Sequence, residues 1–213
     1  GEIAAGYARR DPRFRLLGNG CNHGASAALA TCMAQARGSH LGVLDSDDVL
    51  EPDALSSMLA FMRERPQLGM AYSQYVEIDE EGELMGPGKR FLVPYSPHRL
   101  LVDFMTFHFR LIRADAYHAL GGFDPMQSHS EDYDFCLRLS EHYPVEHLPR
   151  PLYRYRIRRD SISQGSRLKQ VQASFDAAQE ALRRRGMAAS HALSLGIRAR
   201  HVLRPKPLRE RGA

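Results

Sequence analysis

Residues 41–52 read Leu41-Gly42-Val43-Leu44-Asp45-Ser46-Asp47-Asp48-Val49-Leu50-Glu51-Pro52, a short apolar run that stops at a cluster of carboxylates. Such a run predicts a buried strand that delivers acidic side chains to its carboxyl end. Open α/β sheets bind their ligands at that edge. The stretch therefore predicts a ligand site built around Asp45 and Asp47.

Asp45 and Asp47 stand two positions apart at the predicted strand end. If the backbone turns there, both carboxylates can chelate one divalent cation, and hard oxygen ligands favour magnesium or manganese. A cation held in this way would most naturally neutralise a phosphate. The alternative is an acidic turn between strand and helix, in which Asp48 or a neighbouring residue caps the helix entered at Pro52. Both interpretations stay open, because an Asp-x-Asp pair often occurs by chance.

Helical and strand-like patterns alternate on either side of this stretch. Residues 1–10 predict a short helix, and the apolar residues 14–17 predict a strand. Apolar positions at helical spacing predict helices over 25–36 and from residue 52 to 65. The run Met70–Ile78, rich in Tyr and Val, predicts a further strand. This alternation predicts an α/β fold with a mainly parallel sheet flanked by helices.

Two further candidate sites lie in the second half of the chain. A predicted strand over residues 107–113 places His108 and Arg110 on one face, although a histidine on a strand is more often structural than ligand-binding. Glu131 and Asp132 open a predicted helix. They either stabilise the helix dipole or supply a general base that accepts a proton from a sugar hydroxyl.

Composition places the chain among ordinary globular domains. Of its 213 residues, 43% are hydrophobic and 25% are charged, and no apolar run is long enough to span a membrane. Its three cysteines share no metal-type spacing and are predicted to be buried thiols of a reducing compartment, which favours a cytoplasmic location. We expect one domain over residues 1–186, ending in a long helix. A basic tail over 187–213 is either solvated or in contact with phosphates or an anionic membrane surface.

Four motifs follow one another along the chain. They are Asn22-x-Gly24-x-Ser26-x-Ala28, Leu44-Asp45-Ser46-Asp47-Asp48, Gly121-Gly122-Phe123-Asp124, and Glu131-Asp132-Tyr133-Asp134-x-x-Leu137-Arg138-Leu139. In order and spacing they resemble family 2 of the glycosyltransferases, which has the GT-A fold. The segments 105–110 and 146–149 further resemble modules of bacterial chondroitin and hyaluronan synthases and related polysaccharide enzymes.

The resemblance implies a donor site at the first acidic cluster. Asp45 and Asp47 look like the family's Asp-x-Asp pair, which holds Mn²⁺ or Mg²⁺ and the ribose-diphosphate of a nucleotide-sugar, here expected to be UDP-linked. The resemblance also implies that His108 and Arg110 lie near the donor sugar or the acceptor.

The resemblance implies a catalytic role for the second acidic cluster. Asp132 looks like the base that deprotonates the acceptor hydroxyl during inverting transfer of a hexose, and Glu131 is expected to contact substrate. The acceptor is expected to be a glycan or a lipid-linked sugar.

The chain departs from the family pattern in three places. Arg158 stands where the family usually has a histidine metal ligand. Arginine cannot ligate a cation, so metal binding is expected to be weakened or partly replaced by direct contact of Arg158 with diphosphate. Leu29 and Ala30 stand where the family often has Arg and Asn. The resemblance further implies a first strand-helix-strand unit before Gly1; we expect this chain to lack that unit and therefore to bind nucleotide poorly.

Two other interpretations of function stay open. The chain could be an inactive, truncated remnant of a glycosyltransferase. Its pI of about 9.1 and its arginine-rich tail could instead indicate a nucleic-acid-binding protein. The sequence shows neither an aromatic platform for stacking bases nor a recognisable DNA-reading helix, so we expect no nucleic-acid partner.

Overall fold

The computed structural model describes residues 2–18, 20–21, 24–124, 129–158 and 167–196. Asn22 of the first motif and residues 197–213 of the predicted tail lie outside this part of the chain. The helices are α1 (Glu2–Arg10), α2 (Ala25–Gln35), α3 (Ala54–Arg63), α4 (Ala114–Ala119), α5 (Glu131–His142) and α6 (Arg167–Arg184). The strands are β1 (His40–Gly42), β2 (Val49–Leu50), β3 (Met70–Ile78), β4 (Leu84–Pro87), β5 (Arg110–Arg113) and β6 (Val145–Arg156).

The strands form one mixed sheet in the order β1-β5-β3-β6-β2, with β4 on β3. The predicted α/β architecture is confirmed, but the pairing is not mainly parallel. Among the described strands, only β3 and β6 pair in parallel. The reason is that β5 inserts antiparallel between β1 and β3, so these two strands share a direction without touching.

Both faces of the sheet are covered by apolar packing. Side chains alternate along β3, so that Met70 and Tyr72 join one core cluster while Ala71 and Tyr75 join the other. The first cluster contains residues of α5 and α6, and the second contains residues of α3. No described helix is both long and apolar enough to cross a membrane.

Most predicted elements are present, with three corrections. Residues 14–17 form no strand, and Phe14 and Leu16 are 51% and 56% exposed. β1 ends at Gly42, because the chain leaves the sheet before it reaches the acids. Of the cysteines, Cys136 is buried, whereas the other two are exposed.

Candidate functional site

The acidic loop after β1 is tied to β6 through Asp48. One Asp48 carboxylate oxygen accepts a hydrogen bond of 2.6 Å from the Tyr153 hydroxyl, and the other accepts one of 2.7 Å from the Arg156 amide. The residue at the start of α3 is Asp53, whose carboxylate accepts from the Ser57 hydroxyl. Asp48 therefore anchors the loop, and the alternative that it caps the helix is wrong.

Arg156 holds the backbone of the same loop. Its Nε donates to the Asp47 carbonyl at 2.7 Å, and its Nη1 donates to the Asp79 carbonyl at 2.7 Å. The loop is thus fixed by its main chain and by Asp48. This leaves the carboxylates of Asp45 and Asp47 available for a ligand, and that of Asp45 is 53% exposed.

Asp45 lies close to residues from other motifs. Its Oδ2 is 3.7 Å from Nε2 of His108. Burial raises the pKa of Asp45, as do the acids of its own loop and Asp132, whereas Arg110 lowers it. Asp45 therefore shares one electrostatic environment with the second predicted site.

His108 sits in an aromatic stack next to Asp45. Its ring is nearly parallel to that of Tyr153, with centroids 4.8 Å apart. Burial lowers the pKa of His108 well below its usual value, and the positive charges of Arg110 and Arg90 lower it further. The imidazole is therefore neutral at pH 7 and can both donate and accept a hydrogen bond.

Arg110 and Asp132 form an ion pair at the start of α5. Nη2 of Arg110 lies 3.0 Å from Oδ2 of Asp132, while its Nη1 points to the Thr106 carbonyl and to the Cys136 sulfur. Burial alone would lower the pKa of Arg110, but the charge and hydrogen bond of Asp132, together with those of Cys136, outweigh burial and raise the pKa. Oδ1 of Asp132 accepts from the Tyr133 amide at 2.8 Å, so the carboxylate has a fixed orientation.

Asp132 lines a cavity of about 510 Å³. The cavity wall also includes residues before β5, one residue of β6, one side of α6 and the segment 193–195. Its apolar members include Phe104, Phe107, Tyr155, Val171, Phe175 and Leu193. The structure thus places one predicted catalytic acid beside a space large enough for a sugar.

Two predicted substrate contacts lie at the margin of this group. Glu131 is adjacent to Asp132 but does not line the cavity, and its Oε2 is buried without a hydrogen-bond partner among the described atoms. Arg158 is exposed and ends the described range 129–158.

A divalent cation fits the chemistry of the acidic loop only with help from a ligand. In the described residues, no three side chains of His, Cys, Asp or Glu form a metal-binding group. Asp45 and Asp47 offer carboxylate oxygens, and Mg²⁺ commonly binds through one or two carboxylates together with substrate phosphates. The residues present therefore fit a cation that arrives with a diphosphate.

Sequence reasoning missed the contribution of β6. Tyr153 anchors Asp48 and stacks on His108, and Tyr155 stacks on His108 from farther away. The alternation Tyr153-Arg154-Tyr155-Arg156 was the available signal, because a period of two places both tyrosines on one face. What they face depends on the pairing of β6.

Comparison of the sequence with known proteins finds a matching family model and several similar proteins. The family model described as "Glycosyl transferase family 2" matches residues 1–128. Chondroitin synthase of Escherichia coli is 33% identical over 176 residues, covering 83% of this chain and 25% of that protein. Hyaluronan synthase of Pasteurella multocida is 29% identical over 177 residues, covering 83% of this chain and 18% of that protein. The chain thus spans a quarter or less of the length of these curated relatives.

Two solved structures are similar in fold. S. aureus TarS (residues 1–349) aligns with a TM-score of 0.58 and 16% identity, covering 83% of this chain and 51% of that one. A mannosyltransferase from Pyrobaculum calidifontis in complex with GDP-Man and Mn²⁺ aligns with a TM-score of 0.54 and 14% identity. The alignment covers 90% of this chain and 63% of that one. At this level of identity the likeness shows the fold alone.

Proposed function

The chain belongs to family 2 of the glycosyltransferases and has the GT-A fold, and on that basis we propose that it catalyses inverting transfer of a hexose from a nucleotide-sugar to a glycan or lipid-linked acceptor. One observation carries this proposal. His108 lies 3.7 Å from Asp45 of the first acidic motif, and Arg110, two residues further along the chain, pairs with Asp132 of the second at 3.0 Å. Donor and acceptor can therefore meet there.

The donor would bind at the acidic loop. Asp45 and Asp47 would hold Mn²⁺ or Mg²⁺ against the diphosphate, and a bound cation neutralises the charge that builds up on the leaving group. The exposed guanidinium of Arg158 can contact diphosphate oxygens directly. The similar mannosyltransferase in complex with GDP-Man and Mn²⁺ supports this arrangement. We propose a UDP-linked donor for the first tests.

The acceptor would bind in the cavity beside Asp132. The carboxylate takes the proton of the acceptor hydroxyl, and that oxygen forms the new bond to the anomeric carbon. The bond from the anomeric carbon to the diphosphate breaks, and its electron pair leaves with the diphosphate. Arg110 and the Tyr133 amide hold Asp132 in position for this step. A single displacement of this kind inverts the anomeric configuration.

The test combines donor binding with turnover. The chain is titrated calorimetrically with UDP and GDP in the presence of MnCl₂, and release of nucleoside diphosphate is then measured with a panel of UDP- and GDP-sugars, each with and without a mixture of glycan acceptors. We expect binding of one nucleotide, and turnover that Asp132→Asn reduces by about 10²–10⁴-fold without loss of binding. Binding without turnover in the unmodified chain would favour an inactive remnant, and binding of neither nucleotide would contradict the proposal.

A further inference from the structure

The guanidinium of Arg90 lies against two aromatic rings that line the cavity. Its guanidinium carbon is 4.3 Å from the ring centroid of Phe107 and 5.6 Å from that of Phe104, and all three residues line the cavity. A guanidinium stacked on a ring keeps its N–H groups in its own plane, pointing away from the stack, where they can still bind an oxyanion. The rings therefore position the Arg90 guanidinium and leave N–H groups available for a ligand.

The backbone before Arg90 is fixed by an unusually close contact. Gly88 donates its amide to the Tyr75 carbonyl, and a Cβ at this position would lie 2.2 Å from the Tyr75 ring. Phe91, the next residue after Arg90, packs edge-on against the same ring at 5.8 Å. The chain thus crosses directly over Tyr75, and this crossing sets the place from which Arg90 reaches Phe107.

The charges of the cavity are unbalanced. Arg90 and Arg167 both line it, and neither forms an ion pair with a carboxylate of the described ranges. Asp132 also lines it, but its charge is already matched by Arg110 at 3.0 Å. The positive charge of Arg90 also helps to lower the pKa of His108. The described lining therefore offers positive charge to a ligand placed beside Asp132.

We propose that the cavity binds an acceptor sugar bearing a carboxylate or phosphate group, with Arg90 as the main anion contact and Arg167 as the second. The inference rests on the proposed function and specifies its acceptor. Aromatic and aliphatic side chains of the wall suit the apolar face of a sugar ring, while the arginines at the rim suit its charged substituent. The uncharged remainder of the sugar places a hydroxyl at Asp132.

The test compares three glycosides that differ in charge. Methyl β-glucoside, methyl β-glucuronide and methyl β-glucoside 6-phosphate are titrated by ligand-observed NMR into the full chain. We expect at least one anionic glycoside to bind about 10-fold tighter than the neutral one, and the tighter of the two identifies the anion. Arg90→Gln should remove the preference for the anionic glycoside.

A matched control separates this site from general charge loss. Arg65 also stacks on a ring, with its guanidinium carbon 4.0 Å from the Phe61 centroid, but it does not line the cavity. Arg65→Gln should therefore keep the preference. Equal affinities for the three glycosides, no detectable binding of any, or a preference that survives Arg90→Gln overturns the inference. Titration with UDP or GDP and MnCl₂ on the same samples reports separately on the proposed function, because Arg90→Gln leaves the acidic loop intact.

Discussion

Nη2 of Arg110 lies 3.0 Å from Oδ2 of Asp132, and the side chains of the pair are 7% and 28% exposed. Arg110 begins β5, the strand that pairs with β1 next to the acidic loop, whereas Asp132 lies in the first turn of α5. The ion pair therefore joins the strand beside the acidic loop to the helix that carries the second acidic cluster. It also supplies the buried guanidinium with the negative charge that makes its burial tolerable.

Replacing Arg110 with methionine should destabilise the protein by about 3 kcal/mol, because Asp132 then remains at a largely buried position without its partner. Urea unfolding measures this loss. Arg99→Met is the matched control. It removes an ion pair with Asp103 whose side chains are 56% and 36% exposed, and such pairs contribute about 1 kcal/mol or less. Equal losses in the two variants would show that the Arg110–Asp132 pair has no special structural role.

Local sequence patterns were sufficient to predict where the two acidic side chains of the candidate site lie in their elements. Asp45 follows a short apolar run in which Leu41 is buried and Leu44 is exposed, and Asp132 stands in the first turn of an amphipathic helix. Local pattern placed each acid at the end or start of its element, and the family resemblance implied that both acids belong to one site. The shared environment of Asp45 and Asp132 agrees with that prediction, while their roles stay predictions.

Long-range pairing could not be predicted in the same way. Asp48 is anchored by Tyr153, 105 residues later in the chain, and this contact exists because β2 and β6 pair at that register. The insertion of β5 between β1 and β3 likewise depends on packing of the whole sheet. Alternation of apolar residues encodes which face is buried, but it does not encode which strand is the neighbour.

Tyr153→Phe should weaken donor binding with little change in turnover at saturating donor. Burial raises the pKa of Tyr153, so its hydroxyl stays protonated and donates to Asp48 at 2.6 Å. Losing this hydrogen bond costs about 1–2 kcal/mol and frees the acidic loop, so we expect KM for the donor to rise about 10-fold.

The control for this variant is Tyr117→Phe. The Tyr117 hydroxyl is also buried in a hydrogen bond, which it accepts from the Phe123 amide at 2.9 Å, but it lies outside the site. This variant should lose similar stability and keep its KM. If Tyr153→Phe left KM unchanged, or if both variants raised it equally, Asp48 would not organise the donor site.

The neutral state of His108 predicts that stability falls in mild acid. Its pKa in the folded chain is well below 6.5, so below that pH the unfolded chain binds a proton that the folded chain does not. The free energy of unfolding should therefore decrease as pH falls from 7.5 to 5.5. Burial also lowers the pKa of His147 and His40, which adds to the same trend.

Substitution of His108 isolates its share of this pH dependence. His108→Phe keeps an aromatic ring against Tyr153 and removes the titration, so its unfolding free energy should fall by about 1 kcal/mol less than that of the unmodified chain over the same pH interval. The positive charges of Arg110 and Arg90, which also lower the pKa of His108, stay in place in both proteins. Parallel urea-unfolding curves for the two proteins at every pH would contradict a neutral His108.

Gly88→Ala should destabilise the fold by about 1–3 kcal/mol, because the added methyl group meets the Tyr75 ring at 2.2 Å and either the ring or the chain must move. The same movement displaces Arg90 from Phe107, so the variant should also lose the preference for anionic glycosides.

Gly6→Ala is the control, and it should change the stability in the opposite direction. Gly6 lies within α1 with nothing within 4 Å of an added Cβ, so alanine there should stabilise the protein by about 0.5–1 kcal/mol. Urea unfolding of both variants checks the signs, and a Gly88→Ala protein as stable as the unmodified chain would show that the crossing over Tyr75 is not tight.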